Sequence, residues 1–208
     1  MGKRTQDRRI NKTKAAIYRA LLELLETREY SKITVTELTE LADINRKTFY
    51  NHYSDISDVI NEIEDLWVEH LMVNLQNVLS PYVNCQEADP EHIRRHALEI
   101  SRPFFETTIS ELKDTPAYFR LINMADGHNN LMHKVVSEGK EMLLNTFGSG
   151  IKNNLWLDYL LIFSINGAMA MIMEWYKSGF DVSVEDLSKF FEILFTSDMA
   201  FDYINSMS

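Results

Sequence analysis

The chain has 208 residues, enough for one domain of ordinary size or two small ones, and its 45% apolar composition is ample for a packed core. Glycine (7) and proline (4) make up about 5% of it, against roughly 12% in average proteins, which argues against all-β folds, glycine-rich nucleotide loops and long disordered linkers. The single cysteine, Cys85, permits no internal disulfide, and no signal peptide is visible. We therefore expect a mostly helical, cytoplasmic protein.

The net charge of −10 is unevenly distributed along the chain. Residues 1–54 contain 11 Lys and Arg against 7 Asp and Glu, a balance of +4, so the remaining 154 residues carry −14. Six of the eleven cations lie within residues 3–14. A basic part joined to an acidic remainder predicts two functional parts, the first facing an anionic partner. A solvated tail is the alternative interpretation of the cation run.

The first 54 residues have the pattern of three helices. Thr34-Val35-Thr36-Glu37 is a capping box that begins a short second helix, and Asn45 is a suitable N-cap for a third, which ends near Asn51. A tight turn between two short helices, with a longer helix before them, is typical of a helix-turn-helix unit. The longer helix is predicted over about 9–28, where apolar residues recur at helical spacing: Ile17, Leu21, Leu24 and Leu25.

The rest of the chain has helix start and stop signals and no convincing strand. Pro103 should kink or split one of these helices near Ser101, which gives nine or ten helices in total. One predicted helix begins at a cap on Asp55 or Ser57 and runs to about 78, and another opens at about 91. The others cover about 116–124, 128–146, 153–177 and 184–204. The apolar run Tyr159–Met173 has 15 residues, fewer than the about 20 that span a bilayer, so we expect a buried interface helix and no membrane partner.

The third helix carries the side chains that a recognition helix needs. Phe49 would anchor it in the core, with Tyr53 near it one turn later, and the polar residues would project outward. In the major groove, Arg and Lys pair with guanine edges and Asn with adenine, and hydroxyls at the start of the second helix suit phosphate contacts. An ordinary polar helix surface is the alternative. The predicted DNA-binding residues are Thr34, Thr36, Asn45, Arg46, Lys47, Thr48, Tyr50, Asn51 and His52.

Residues 12–60 resemble the DNA-binding domain of the TetR family of bacterial transcription regulators. The resemblance rests on the spacing between Ile33-Thr34-Val35 and Thr48-Phe49-Tyr50-x-His52-Tyr53 and includes Leu38, Ala42 and Ile44. The ends of this motif, and the segment from Phe163 to Leu187, look most like the Firmicutes subgroup that includes the regulator of dihydroxyacetone kinase genes. Residues 80–150 resemble no family that we can name.

Three positions depart from the family pattern. Thr39 stands where the family often has alanine. Asp43 stands in the turn where the family often has glycine, and aspartate adopts the left-handed backbone conformation at some cost in energy. Ile56 replaces a lysine that many members carry at the start of the fourth helix. The resemblance assigns that lysine a phosphate contact, so this chain is expected to lack one.

The resemblance implies an all-α protein with two domains, a helix-turn-helix domain over 1–54 and a helical ligand-binding and dimerisation domain over 55–208. It implies a homodimer in which the last two helices pair with their symmetry mates and hold two heads on a double-stranded, palindromic operator. The apolar faces of both helices are wide enough for this, although a monomer core would also explain them. The predicted interface residues are Leu161, Ile165, Met169, Ile172, Phe191, Leu194 and Phe195.

Family members commonly bind a small effector between the middle helices, which implies release from DNA by an apolar or amphipathic molecule. Large aromatic and flexible Met side chains suit such a pocket, although plain core is the alternative. The candidate lining residues are Trp67, Leu71, Phe104, Phe105, Tyr118, Phe119, Leu121, Met124, Met132 and Trp156.

No residue pattern predicts an enzyme or a cofactor. His92 and His96 have i, i+4 spacing, but the residues between them are Ile-Arg-Arg, which supply no general base and would repel a cation. The favoured hypothesis is therefore a DNA-binding transcriptional regulator, more often a repressor by family habit. The alternative is a helical interaction protein whose basic head meets an acidic protein partner.

Overall fold

The computed structural model describes residues 2–80, 90–115, 117–122, 131–147 and 155–195, and helices account for nearly all of them. This part of the chain has nine α-helices and one short 3-10 helix, Tyr30–Lys32, which confirms the predicted all-α fold. The α-helices are α1 (Gly2–Thr27), α2 (Val35–Leu41), α3 (Arg46–Tyr50), α4 (Ile56–Leu79), α5 (Pro90–Asp114), α6 (Ala117–Ile122), α7 (Leu131–Phe147), α8 (Leu155–Lys177) and α9 (Val184–Phe195). None of the described helices combines the length and the apolar character needed to cross a bilayer.

The first compact unit comprises residues 1–67 and 115–131, and it contains the predicted head, residues 1–54. Helix α1 begins at Gly2 rather than near residue 9, because its charged first turns are good helix formers even without apolar periodicity. The core joins α1, α2, α3, α6 and the start of α4, and burial of each large side chain contributes about 1.5–3 kcal/mol. Its fully buried members are Ile17, Leu21, Leu25, Leu38, Phe49, Val59, Ile60 and Leu121.

The second compact unit comprises residues 68–114 and 132–208, in which α5 packs along α9. Helix α5 is continuous through Pro103, so the predicted split near Ser101 does not occur. A proline inside a helix costs about 3 kcal/mol or more. The burial of Ile109 and Leu112, at about 1.5–3 kcal/mol each, is of the same size and explains why the helix persists.

Local signals in the sequence define the ends of the last two helices. Gly179 has φ 78° and Phe180 has φ 63°, and their N–H groups donate to the carbonyls of Tyr176 (3.1 Å) and Trp175 (2.9 Å). These bonds form a Schellman motif that ends α8 at Lys177, as the predicted helix over 153–177 requires. Helix α9 begins at Val184 as predicted, where the Asp186 N–H donates to the Ser183 hydroxyl at 3.0 Å. The predicted continuation of α9 beyond 195, and the ends expected at residues 124 and 128, lie outside the described residues.

Candidate nucleic-acid interface

The turn between α2 and α3 is fixed by its own backbone hydrogen bonds. Asp43 has φ 52°, in the left-handed region that the sequence predicts for this position. Its N–H donates to the Glu40 carbonyl at 3.2 Å, and the N–H of Ile44 donates to the Thr39 carbonyl at 3.0 Å. This pair of bonds is a second Schellman motif, and it sets the direction in which α3 leaves α2.

Helix α3 is held in the first unit by its aromatic residues. Phe49 is completely buried and Tyr53 is 5% exposed, with their ring centroids 5.6 Å apart. Tyr50 lies edge-on to Phe49 at 5.4 Å and keeps 51% of its surface exposed. The predicted anchors are thus confirmed, and the opposite side of this five-residue helix faces solvent.

The exposed side of α3 is cationic and polar. Arg46, Lys47 and Asn51 are exposed, whereas Thr48 and His52 are half-buried at its margin. Within the part of the chain that the structure describes, neither Arg46 nor Lys47 forms an ion pair. Other cations of the head are paired, Lys14 with Glu62 and Lys32 with Glu29. We call Arg46, Lys47, Tyr50 and Asn51 the α3 face.

The side chain of Asn45 caps the N-terminus of α3. Its Oδ1 accepts from the N–H of Lys47 at 2.7 Å and from the N–H of Thr48 at 3.4 Å. This confirms the predicted N-cap, and it commits the amide oxygen to the backbone. A base contact by Asn45 would therefore have to use its NH₂ group, as a hydrogen-bond donor.

The predicted phosphate contact at Thr34 stays a prediction, and both donors of Thr34 are used inside the protein. The Thr34 N–H and hydroxyl donate to Glu37 Oε2 at 3.0 and 2.8 Å, and the hydroxyl accepts from the Glu37 N–H at 3.2 Å. Arg28 forms an ion pair with the other oxygen of this carboxylate. Hydrogen bonds from Thr34 and then the pairing with Arg28 hold the pKa of Glu37 below its ordinary value. Thr36 remains exposed.

A polar cluster that the sequence did not predict lies behind α3. We call it the Glu62 cluster: Lys14 and Tyr18 of α1, Tyr53 after α3, and Glu62 of α4. Lys14 Nζ donates to Glu62 Oε1 at 2.6 Å, and the Tyr53 hydroxyl donates to Glu62 Oε2 at 2.7 Å. The hydroxyls of Tyr53 and Tyr18 are 3.1 Å apart, and Lys14 Nζ lies 5.4 Å from the centre of the Tyr53 ring.

The titration of the Glu62 cluster follows from its half-buried position. Burial raises the pKa of Tyr18 to about 12, and burial together with the hydrogen bonds to Tyr18 and Glu62 raises that of Tyr53 further. Burial alone would raise the pKa of Glu62, but the hydrogen bonds from Lys14, Tyr53 and Tyr18 outweigh it and hold this pKa below its ordinary value. The carboxylate is therefore ionised, and both tyrosines keep their protons, at neutral pH.

Within the first unit, the described candidate effector residues do not surround a ligand-sized space. This unit has a small cavity of about 10 Å³ that is lined by Trp67, Tyr118 and Leu121 among others. Phe119 is fully buried and is not among the lining residues. Ligand pockets commonly measure about 300–1,000 Å³, so this cavity would hold about one water molecule. The other candidates lie in the second unit or beyond the described side chains.

Within the second unit, one candidate side chain is buried and the other three are half-buried. Leu71 is buried, Met132 is half-buried, and Phe105 stacks on Phe191 with ring centroids 5.2 Å apart. Phe104 lies edge-on to Phe105 at 5.5 Å. The side chains of Met124 and Trp156 lie outside the described set.

The predicted dimer residues divide into buried and exposed sets. Ile172 and Phe191 are 5% and 0% exposed, so they belong to the core of the second unit and have no area to offer a partner. Ile165 and Met169 are half-buried, and Leu194 is 45% exposed, while Leu161 and Phe195 lie outside the described side chains. Among the described side chains of α8 and α9, the most exposed apolar residues lie outside the predicted interface set: Tyr159, Ile162, Phe163, Phe190 and Ile193.

Comparisons with known proteins bear on a 55-residue part of the chain and on the whole fold. No protein-family model matches the chain. Over 55 residues, 26% of the chain, it is 36% identical to the uncharacterized HTH-type transcriptional regulator YxbF of Bacillus subtilis (strain 168), and this match spans 14% of that protein's length. The crystal structure of a TetR transcriptional regulator from Streptococcus agalactiae 2603V matches with a TM-score of 0.58, covering 91% of this chain and 97% of that one at 22% identity. The protein has the TetR fold.

A second solved structure agrees with the TetR fold. It is a Clostridium perfringens protein described as a fatty acid metabolism regulator, with a TM-score of 0.59 over 86% of this chain and 95% of that one at 16% identity. The dihydroxyacetone kinase operon activator DhaS gives a TM-score of 0.48 at 17% identity, so the resemblance to that subgroup stays a prediction. In the TetR fold of this chain, α2, the turn and α3 are the helix-turn-helix unit.

Proposed function

We propose that the protein is a transcriptional regulator of the TetR type that binds duplex DNA through the α3 face. The observation that carries this proposal is an exposed pair of cations, Arg46 and Lys47, on a short helix whose opposite side is anchored by Phe49 and Tyr53. Cations held in one orientation on a rigid helix can pair with guanine edges, whereas cations on a mobile tail supply only non-specific attraction.

Each residue of the α3 face has a role that its chemistry allows. Arg46 and Lys47 would donate to guanine O6 and N7, Asn51 would pair with adenine, and Tyr50 would offer its hydroxyl and exposed ring. Thr36, exposed at the start of α2, retains its predicted phosphate contact. Thr48 and His52, half-buried at the margin, would contact the backbone rather than the bases.

We further propose that the protein acts as a homodimer on a palindromic operator. Phe163 on α8 is 77% exposed, and Phe190 and Ile193 on α9 are 48% and 60% exposed. Large apolar side chains grouped on two helices mark a surface that a partner covers. A two-fold dimer presents two α3 faces, and so it reads two half-sites related by the same symmetry.

Release by a small effector, and repression rather than activation, complete the proposal. An effector acts only through different affinities for the DNA-competent and DNA-incompetent arrangements of the two heads. Because the cavity of the first unit holds about one water, a pocket for it would have to open or lie elsewhere. A reporter gene carrying the selected operator would reveal repression as a fall in expression.

Selection from random duplex DNA tests the proposal. The wild type should enrich a palindromic consensus, and Tyr50→Ala should lose specific binding while its thermal melting midpoint stays near that of the wild type. Tyr176→Ala, which alters a half-buried tyrosine of the second unit, is the matched control and should keep the consensus. Enrichment of no consensus, together with capture of an acidic protein partner, would favour the interaction-protein alternative.

A further inference from the structure

The Glu62 cluster is the one polar connection that joins the end of α3 to both α1 and α4 among the interactions described above. The backbone N–H of Tyr53 donates to the Phe49 carbonyl at 3.0 Å, so the position of Tyr53 is tied to that of α3. Its hydroxyl then donates to Glu62 on α4, and Glu62 accepts from Lys14 on α1. A continuous path of hydrogen bonds therefore runs from α3 to two longer helices.

The single proton of the Tyr53 hydroxyl makes Tyr53 the donor to Glu62. The Tyr53 hydroxyl has a single hydrogen, and the shorter contact, 2.7 Å to Glu62 Oε2, uses it. The contact between the Tyr53 and Tyr18 hydroxyls, at 3.1 Å, is the longer of the two. Both oxygens of Glu62 are occupied, one by Lys14 and one by Tyr53, and a hydrogen bond from Tyr18 adds to them.

The apolar core does not supply this directionality. Phe49 and its neighbours hold α3 against the unit by non-directional burial, which tolerates small shifts of a five-residue helix. Hydrogen bonds at 2.6–2.7 Å to an ionised carboxylate are strongly dependent on distance and angle. Reading a base edge requires similar accuracy, because the α3 face must place its donors within hydrogen-bond distance.

We propose that Glu62 is a positioning residue for DNA recognition: it fixes the α3 face through Tyr53 without touching DNA. This inference rests on the proposed function and adds to it a residue outside the helix-turn-helix unit. Simple electrostatics predicts the opposite sign for its loss, because removal of a negative charge near a DNA-binding surface raises affinity for any duplex. The direction of the change therefore separates positioning from charge.

The experiment compares two conservative variants with a charge-matched control on the selected duplex and on a scrambled one. Glu62→Gln keeps the shape and removes the charge, whereas Tyr53→Phe removes only the hydroxyl and keeps the ring against Phe49. Glu69→Gln removes an exposed carboxylate from the same helix and is the control. Affinities are measured at one salt concentration, and amide hydrogen exchange of residues 46–53 is measured on the free proteins.

Both cluster variants should bind the selected duplex about tenfold more weakly, the equivalent of one good base contact, and the scrambled duplex no more weakly than the wild type does. Their amides at 46–53 should exchange faster, and Glu69→Gln should match the wild type in every measurement. Wild-type affinity and exchange in Tyr53→Phe and Glu62→Gln would overturn the inference, as would equal losses on both duplexes. If Glu62→Gln fails to fold, Tyr53→Phe decides the matter alone.

The same measurements test the positioning role of Glu62 separately from the proposed function, which is binding of duplex DNA. A wild-type protein that prefers the selected duplex to the scrambled one supports the proposed function whatever the variants do. A wild type with no preference contradicts the proposed function, and the positioning role of Glu62 falls with it.

Discussion

At the start of α2 a carboxylate of the protein occupies the place where a DNA phosphate is expected. Glu37 accepts from the N–H and the hydroxyl of Thr34, and it pairs with Arg28. The α2 cap thus stabilises the helix, but it engages the donors of Thr34 and the guanidinium of Arg28, which are then not available to a phosphate. Together with Ile56 in place of a lysine, it predicts fewer phosphate contacts for residues 1–54 than their +4 balance suggests.

Glu37→Gln should therefore strengthen binding to duplex DNA. Glutamine still caps the helix, but Arg28 becomes free and a negative charge is lost. One additional phosphate contact raises affinity by roughly fivefold to tenfold near about 0.1 M salt, with a steeper salt dependence. Glu29→Gln, which frees Lys32 in the same way, is the control in a fluorescence anisotropy titration. Equal gains in both variants would mean that only total charge matters.

The Glu62 carboxylate makes a specific contribution to acid stability. Its pKa in the folded protein lies below the ordinary value of 4.5, so its contribution is complete above pH 4.5 and is lost as the pH falls through the folded value. Glu62→Gln should be less stable than the wild type by about 1 kcal/mol at about pH 6. Urea unfolding should show that difference shrinking below pH 4.5, and a difference that is constant with pH would contradict the assigned ion pairing.

Among the elements, those set by local signals could be predicted and those set by distant contacts could not. The cap at Thr34, the left-handed Asp43 and the anchor Phe49 follow from residues within a few positions of each other. The contact between Lys14 and Glu62 joins residues 48 positions apart, so no local pattern indicates it. The continuity of α5 through Pro103 likewise depends on burial that only the folded unit provides.

The α8 and α9 faces show a second limit of sequence reasoning. Both helices are apolar over more than one stripe, so spacing alone does not say which stripe faces the core. The structure gives Phe191 to the core and leaves Phe190 48% exposed beside it. Adjacent residues of the same type therefore have different environments that the sequence could not distinguish.

Asp43→Gly should stabilise the helix-turn-helix unit. An L-residue in the left-handed region is strained by about 1–2 kcal/mol, less for Asp, while glycine adds about 0.5–1 kcal/mol of unfolded-state entropy. We expect a net gain of about 0.5 kcal/mol in the free energy of unfolding, measured by urea denaturation. Asp43→Val should lose more than about 1 kcal/mol, and a neutral Asp43→Val would show that the turn lacks this strain.

At the scale of the whole molecule, the excess of basic residues lies in one part of the chain, and the exposed apolar residues of α8 and α9 lie in another. The balance of +4 lies on residues 1–54 and −14 on the remainder. We infer that the acidic remainder repels DNA from surfaces other than the α3 face. The exposed apolar residues of α8 and α9 belong to that remainder.

Phe163→Asp should convert the proposed dimer to a monomer. The side chain is 77% exposed, and an uncompensated charge at a buried interface opposes association. Sedimentation velocity should give one dimeric species for the wild type and a monomer for the variant, with similar helical content. Val73→Asp, at an apolar position of α4 that is 46% exposed, is the control and should remain dimeric. A wild-type monomer at every accessible concentration would contradict the dimer.

The role of α3 as the DNA-reading helix is tested most directly by the salt dependence of binding to the selected duplex. Wild type, Lys47→Ala and the control Lys189→Ala, an exposed cation on α9, are titrated over the same salt range. Lys47→Ala should bind more weakly, and the slope of log affinity against log salt should become shallower by about 0.9, while Lys189→Ala should match the wild type. A Lys47→Ala protein with wild-type affinity and slope would show that the α3 face does not contact DNA.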